Sequence, residues 1–134
     1  MNQESVVSPY HYRRAWHGIG FLMLLVTSVA FFIPIPAGAI TFSWEDKIAH
    51  VVIFAGLALW FTQVYRVKWQ PLLLLALYAG GVEIVQGFTS YRSMDALDFV
   101  ADVAGMVVGV TISLTVCADC LRAVDRALFK RLHD

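Results

Sequence analysis

Residues 48–65 read IAHVVIFAGLALWFTQVY, and after the short link RVKWQ residues 71–88 read PLLLLALYAGGVEIVQGF. Each run has about the length a bilayer core demands, about 20 mostly apolar residues. A link this short permits only a tight antiparallel hairpin, and Pro71 suits the first turn of its second helix. Working outward, two further runs of the same kind flank the pair. One extends from about Trp16 to Ile33 and stops at Pro34-Ile35-Pro36; the other extends from about Phe99 to Cys117. The spans are therefore expected at about 16–33, 48–65, 71–88 and 99–117. The tail, 118–134, sets Leu121, Val124, Leu128, Phe129 and Leu132 against Arg122, Arg126, Lys130 and Arg131. That pattern is an amphipathic basic helix fitted to an anionic membrane surface. The expected fold is an all-α membrane protein: a single domain over 1–134, with a bundle of four transmembrane helices and a C-terminal amphipathic cytoplasmic helix.

Bulk composition agrees. Hydrophobic residues make up 59% and charged residues 15% of the 134, where soluble domains carry about 45–50% and about 25%. Mean hydropathy is +0.68. No basic run with interleaved aromatics points to nucleic acid, and no glycine loop suited to phosphate appears. Two cysteines are too few for a disulfide scaffold.

Charge placement sets the expected orientation. Arg13, Arg14, Arg66, Lys68, Arg122, Arg126, Lys130 and Arg131 fall on one side, which is eight of the ten basic residues. Lys47 and Arg92 fall on the other. By the positive-inside rule both termini face the cytoplasm, and the loops near 37–46 and 89–98 face outward. Arg13-Arg14, the apolar run and Ala37-Gly38-Ala39 also have the outline of a cleavable signal peptide. The run is longer than a usual signal core and no soluble domain follows it, so it is read as a retained span.

Ionisable residues within spans are costly, so each is a functional hypothesis by default. The second span opens with Asp46, Lys47 and His50 on one helix face, and that face continues through Phe54 and Leu57. The third carries Glu83 and Gln86, three apart, near its outer end. The fourth enters with Asp95, Asp98 and Asp102 on one stripe, continued by Gly105 and Gly109. This small-xxx-small pair suits close helix contact, within the chain or with a second copy in a homo-oligomer. Arg92 lies in the loop before it. Three distant segments thus meet at one depth. Five acids against two cations leave a net charge of −3 with His50 neutral. A low-dielectric site cannot hold that excess fully ionised, so protons, water, a cationic ligand group or a divalent cation must balance it. No cofactor is otherwise evident. The same groups also suit a structural role: Arg92 can clamp Glu83 or Asp98, Gln86 can bond a neighbouring backbone, and Asp46 and Asp95 can serve as caps.

At these residues the chain resembles the VanZ-like family. The likeness covers roughly Asp46 to Gly109 and rests on an ordered set: DKxxH (Asp46, Lys47, His50, with Phe54 following), ExxQ (Glu83, Gln86), Arg92 followed by Asp98, and the glycines Gly105 and Gly109. One position departs from the pattern, since Asp102 stands where the family usually has asparagine. The resemblance implies a small protein of the bacterial cytoplasmic (inner) membrane, and the family's name-giver is linked to low-level teicoplanin resistance. It implies no particular reaction.

These readings lead to an expected function. The chain is an envelope protein with an outward-facing polar pocket that binds or modifies a lipid-linked or cell-wall precursor. In an enzymatic version Glu83 or His50 is general base, while Lys47 and Arg92 hold phosphate or carboxylate oxygens. Asp46, Gln86, Asp98 and Asp102 complete the binding set. The alternative is a membrane scaffold whose polar cluster only fixes the bundle. A transporter needs broken helices or charges deeper in the bundle, which the sequence lacks. Cys117-Ala118-Asp119-Cys120 has redox spacing without a thioredoxin-like context. His11, His17 and His133 lie away from the cluster. Most tryptophans and tyrosines fall near span ends, as interfacial anchors do, whereas Trp60 lies deeper and is expected to pack.

Overall fold

A computed structural model of the chain describes residues 10–33, 43–66, 69–89 and 95–133. Five helices follow one another: α1 (Arg13–Phe32), α2 (Ser43–Tyr65), α3 (Trp69–Gly87), α4 (Ala96–Thr115) and α5 (Cys120–His133). Three helices are long and apolar enough to cross a membrane, over Arg13–Phe32, Trp44–Tyr65 and Ala96–Thr115. The expected bundle has a fourth span in α3, and that helix is diluted by Gln70, Glu83 and Gln86 although Leu73, Leu74, Leu77 and Ile84 face outward along it. The proline pair and the Ala37-Gly38-Ala39 segment lie outside the described residues.

Over residues 51–61 helix α2 is apolar on every face, which is the mark of a buried helix, and it is the centre of the structure. It touches α1, α3, α4 and α5, and its contact with α4 is by far the most extensive. The core gathers Phe54, Leu57 and Ala58 of α2 with Phe31, Leu75, Ala79, Val82 and Met106. Outward-facing Phe21, Leu22, Leu25 and Val26 on α1, and Val100, Val107 and Val108 on α4, form the apolar exterior. An exterior of that kind is costly in water and natural in lipid.

Gly105 and Gly109 explain the α2–α4 contact. A Cβ on Gly105 would lie 3.0 Å from Val51 Cα, and one on Gly109 would lie 2.9 Å from both Ala55 C and Leu59 N. The pair is therefore the seam with α2, and α2 already occupies the face on which the sequence also allowed a second copy.

At the other end of the bundle, Arg66 closes α2 with φ 55°, a left-handed conformation that costs an L-residue roughly 1–2 kcal/mol. It starts the reversal toward α3 expected of the short link. Nearby, α5 folds back on the entry to α1. The Asp125 carboxylate, fully buried, accepts from His11 N (2.8 Å), Tyr12 N (3.0 Å) and Trp16 Nε1 (2.7 Å). Two of those donors are backbone groups at the entry to a helix, where unpaired N–H groups and the positive end of the dipole favour an anion. Burial alone would raise the Asp125 pKa, but these hydrogen bonds outweigh it and hold the carboxyl below its ordinary 3.8. Val124, Leu128, Phe129 and Leu132 remain exposed on α5. Cys117 and Cys120 are joined in a disulfide across the α4–α5 turn, a pairing the sequence reading did not anticipate.

Gly109→Ala should cost about 1–3 kcal/mol by forcing the helices apart, read as a lower unfolding midpoint in detergent. Gly18→Ala should be neutral or slightly stabilising, because a Cβ there meets nothing within 4 Å. Asp125→Ala should leave three donors without an acceptor and expose α5 to limited proteolysis. The wild-type clamp has a depressed folded pKa, so its contribution is complete above about pH 3.8 and is lost as pH falls through the lower folded value. Protease sensitivity of α5 should rise over that acid range.

Candidate functional site

The polar residues converge at the bundle end formed by the start of α2, the end of α3 and the start of α4. Asp95 is the N-cap of α4: its backbone is extended and its side chain accepts from Leu97 N, the usual way of satisfying a first-turn donor. Its own N–H donates to Glu83 Oε2 at 3.3 Å, which ties α3 to the entry of α4. Lys47, one turn into α2, donates to Asp95 Oδ2 at 2.6 Å and Asp98 Oδ1 at 2.7 Å. This ammonium holds the Asp95 carboxyl below its ordinary 3.8, with help from the Leu97 N–H. Asp98 thus has a cationic partner in Lys47, and the Arg92 clamp offered by sequence reading is a separate matter. Arg92 lies outside the described residues.

One turn deeper, His50 Nδ1 and Asp102 Oδ1 are 2.7 Å apart, and both side chains have 0% exposure. The His50 ring packs against Phe31 with ring centres 4.5 Å apart. Gln86 Nε2 donates to the Phe31 carbonyl at 3.2 Å, the neighbouring-backbone bond expected of it. Asp46 is half-buried one turn before His50 on α2. Of the sequence-predicted set, Lys47, His50, Glu83, Asp98 and Asp102 therefore form one cluster, and Gln86 anchors its edge to α1.

The cluster is incompletely satisfied. His50 Nε2, Glu83 Oε1 and Asp102 Oδ2 are buried with no hydrogen-bond partner, although Glu83 is only 4% exposed. Buried polar atoms are nearly always paired with protein, ordered water or an ion, so these three atoms mark positions where such a partner fits. His50, Glu83 and Asp102 each present a potential ligand atom within 4.8 Å of those of the other two, as do Asp46, His50 and Asp98. The site is thus a mixed-charge shell, closed by Lys47 toward the helix ends and open in donors and acceptors at its floor.

A family model described as VanZ/LLP1 matches residues 6–117. The chain belongs to the VanZ/LLP1 family. The match takes in every residue of the polar cluster and all four of the helices α1–α4. No curated protein matches the chain, and no solved structure does. Membership and the three apolar helices together make this VanZ/LLP1 chain a membrane protein.

Sequence reading missed two further features. Phe31 covers His50, and nothing in an apolar helix marks one phenylalanine over its neighbours. A cavity of about 400 Å³ lined by Leu24, Phe61, Tyr65, Pro71, Leu75 and Tyr78 lies between α1, α2 and α3. It is toward the Tyr65–Pro71 link, at the opposite end of the bundle from Lys47.

Removing Lys47 should cost more than removing Asp95. Lys47→Met strands the buried Asp98 carboxylate, a loss of about 3 kcal/mol, whereas Asp95 is 37% exposed and Asp95→Asn should cost under about 1 kcal/mol. Unfolding midpoints in detergent measure the order. Because the Asp95 folded pKa is depressed, its stabilisation is present above about pH 3.8 and fades as pH falls through the folded value. Asp95→Asn should reduce that acid dependence.

Proposed function

We propose that the chain is a multi-pass protein of the bacterial cytoplasmic (inner) membrane whose polar cluster faces the extracytoplasmic side and binds or modifies a lipid-linked or cell-wall component. In this reading α3 crosses together with α1, α2 and α4, both termini are cytoplasmic, and α5 lies along the inner surface with Val124, Leu128, Phe129 and Leu132 toward lipid. The charge asymmetry supports that orientation, and the exposed apolar residues of α3 support its crossing.

The observation that carries the functional reading is the open floor of the cluster. His50 Nε2, Glu83 Oε1 and Asp102 Oδ2 are buried and unpartnered at headgroup depth in the proposed orientation. A purely structural knot would gain by satisfying them. In this reading Glu83 and His50 move a proton, and Asp102 orients the imidazole through Nδ1. Lys47, with Arg92 from the adjoining loop, offers cationic groups for phosphate or carboxylate oxygens. Glycopeptide susceptibility is one phenotype that altered cell-wall precursors would change.

Single substitution of Glu83, His50 and Arg92 by alanine should abolish a glycopeptide-susceptibility or envelope-stress phenotype while membrane abundance stays at the wild-type level. Full activity in all three variants would overturn the reading. Lipid analysis of a deletion strain should show accumulation or loss of one lipid-linked precursor class.

A scaffold role is the second reading. It is favoured by the Lys47–Asp95–Asp98 clamp and by the Asp125 anchorage of α5, which fix helices without needing a ligand. In that case deletion of 118–134 carries the phenotype, and the three alanine variants lower yield instead.

A further inference from the structure

We infer that His50, Glu83 and Asp102 form a buried site for a single divalent transition-metal ion. The trio comes from three helices, α2, α3 and α4, and each residue is at least nine-tenths buried. One ligand atom from each lies within 4.8 Å of the other two. Donors bound to one Zn²⁺ at about 2.0–2.2 Å sit roughly 3.4 Å from one another. Closing the set from within 4.8 Å asks for a shift of about 1.4 Å or less between donors.

Two observations beyond proximity point to a ligand. Each of the three residues has a buried nitrogen or oxygen without a partner: His50 Nε2, Glu83 Oε1 and Asp102 Oδ2. Charge is the second: with both acids ionised and the imidazole neutral, protein groups alone leave the trio negative. Two carboxylates and a neutral imidazole carry −2, and the nearby ammonium of Lys47 is already held by Asp95 and Asp98. A divalent ion offsets that charge in full. Burying the two acids ionised without one is strongly unfavourable.

The chemistry of the donors selects the ion. Mg²⁺ and Ca²⁺ prefer all-oxygen shells, whereas an imidazole with two carboxylates suits Zn²⁺ or Mn²⁺. Three protein donors leave a position open for water or a ligand oxygen, the arrangement of reactive rather than purely structural zinc sites. His50 Nδ1 and Asp102 Oδ1, 2.7 Å apart, would both turn onto the ion, so Asp102 acts as a ligand and not as an orienting carboxylate for His50. Asp46, His50 and Asp98 make a poorer set, because Asp98 is taken by Lys47 at 2.7 Å. The inference does not need the substrate proposed above, since it concerns the resting protein.

The test uses the full-length chain in detergent, purified on a tag without histidines and stripped with a chelator. It is titrated with Zn²⁺, Mn²⁺ and Mg²⁺ by calorimetry, and metal content is measured after dialysis. One equivalent of Zn²⁺ or Mn²⁺ should bind, with Mg²⁺ failing to compete. Glu83→Gln and Asp102→Asn, which keep shape and remove charge, should weaken binding at least about tenfold, while Asp95→Asn should leave it unchanged. Circular dichroism and gel filtration identify any variant that misfolds, and wild-type stoichiometry alone decides the matter if all do. No saturable binding by the wild type, or equal binding by correctly folded Glu83→Gln and Asp102→Asn, would overturn the site. A metal-free wild type with the alanine phenotypes intact would reject the ion and leave the envelope function standing.

Discussion

The distance between α2 and α4 governs much of the rest of the structure. Gly105 and Gly109 let the backbone of α4 settle against Val51, Ala55 and Leu59 of α2. Lipid tails are as apolar as leucine, so helices in a membrane associate through close packing rather than through exclusion of water. The tightness of this seam is then a primary source of stability. It also sets where polar side chains meet. One turn before Gly105 on its own stripe, Asp102 reaches His50, and the next acid along, Asp98, reaches Lys47. A wider seam would separate both pairs.

Charge is graded along that stripe. At the helix ends Lys47 meets two carboxylates, and Asp95, partly exposed, is stabilised as an anion by both the ammonium and a helix N-terminus. One turn deeper the acids meet an imidazole and have open positions. The outer layer closes the bundle, whereas the inner layer keeps unmet hydrogen-bonding and charge demand. Stability and function thus separate by depth along one helix face. This is why the two readings of the cluster, scaffold and pocket, each find residues in their favour.

Much of this arrangement is legible in residue order. The i, i+4 spacing of Asp46 and His50, the Glu83–Gln86 pair and the Asp95–Asp98–Asp102–Gly105–Gly109 stripe place the right groups on the right faces before any coordinates are known. Which partner each group takes is not legible, because it depends on the rotation of α2 against α4. Sequence reading did not pair Lys47 with Asp98, and the structure does. Asp102, the departure from the family pattern, has the most central place of the acids through its contact with His50. Sequence reading of the tail did not single out Asp125. Yet it lies on the Leu121, Val124, Leu128 and Leu132 stripe, and an acid in an apolar stripe is a signal that it has a partner elsewhere.

That partner lies at the opposite end of the chain. Asp125 accepts from the backbone of His11, 114 residues away, and from Tyr12 and Trp16 beside it. Ribosomes release the N-terminal segment long before the acceptor exists. The entry to α1 therefore waits, with these donors unmet by Asp125, until α5 has been made. This part of the assembly is completed by α5, and a protein cut short before it would keep its spans while lacking the tie between α5 and the entry to α1.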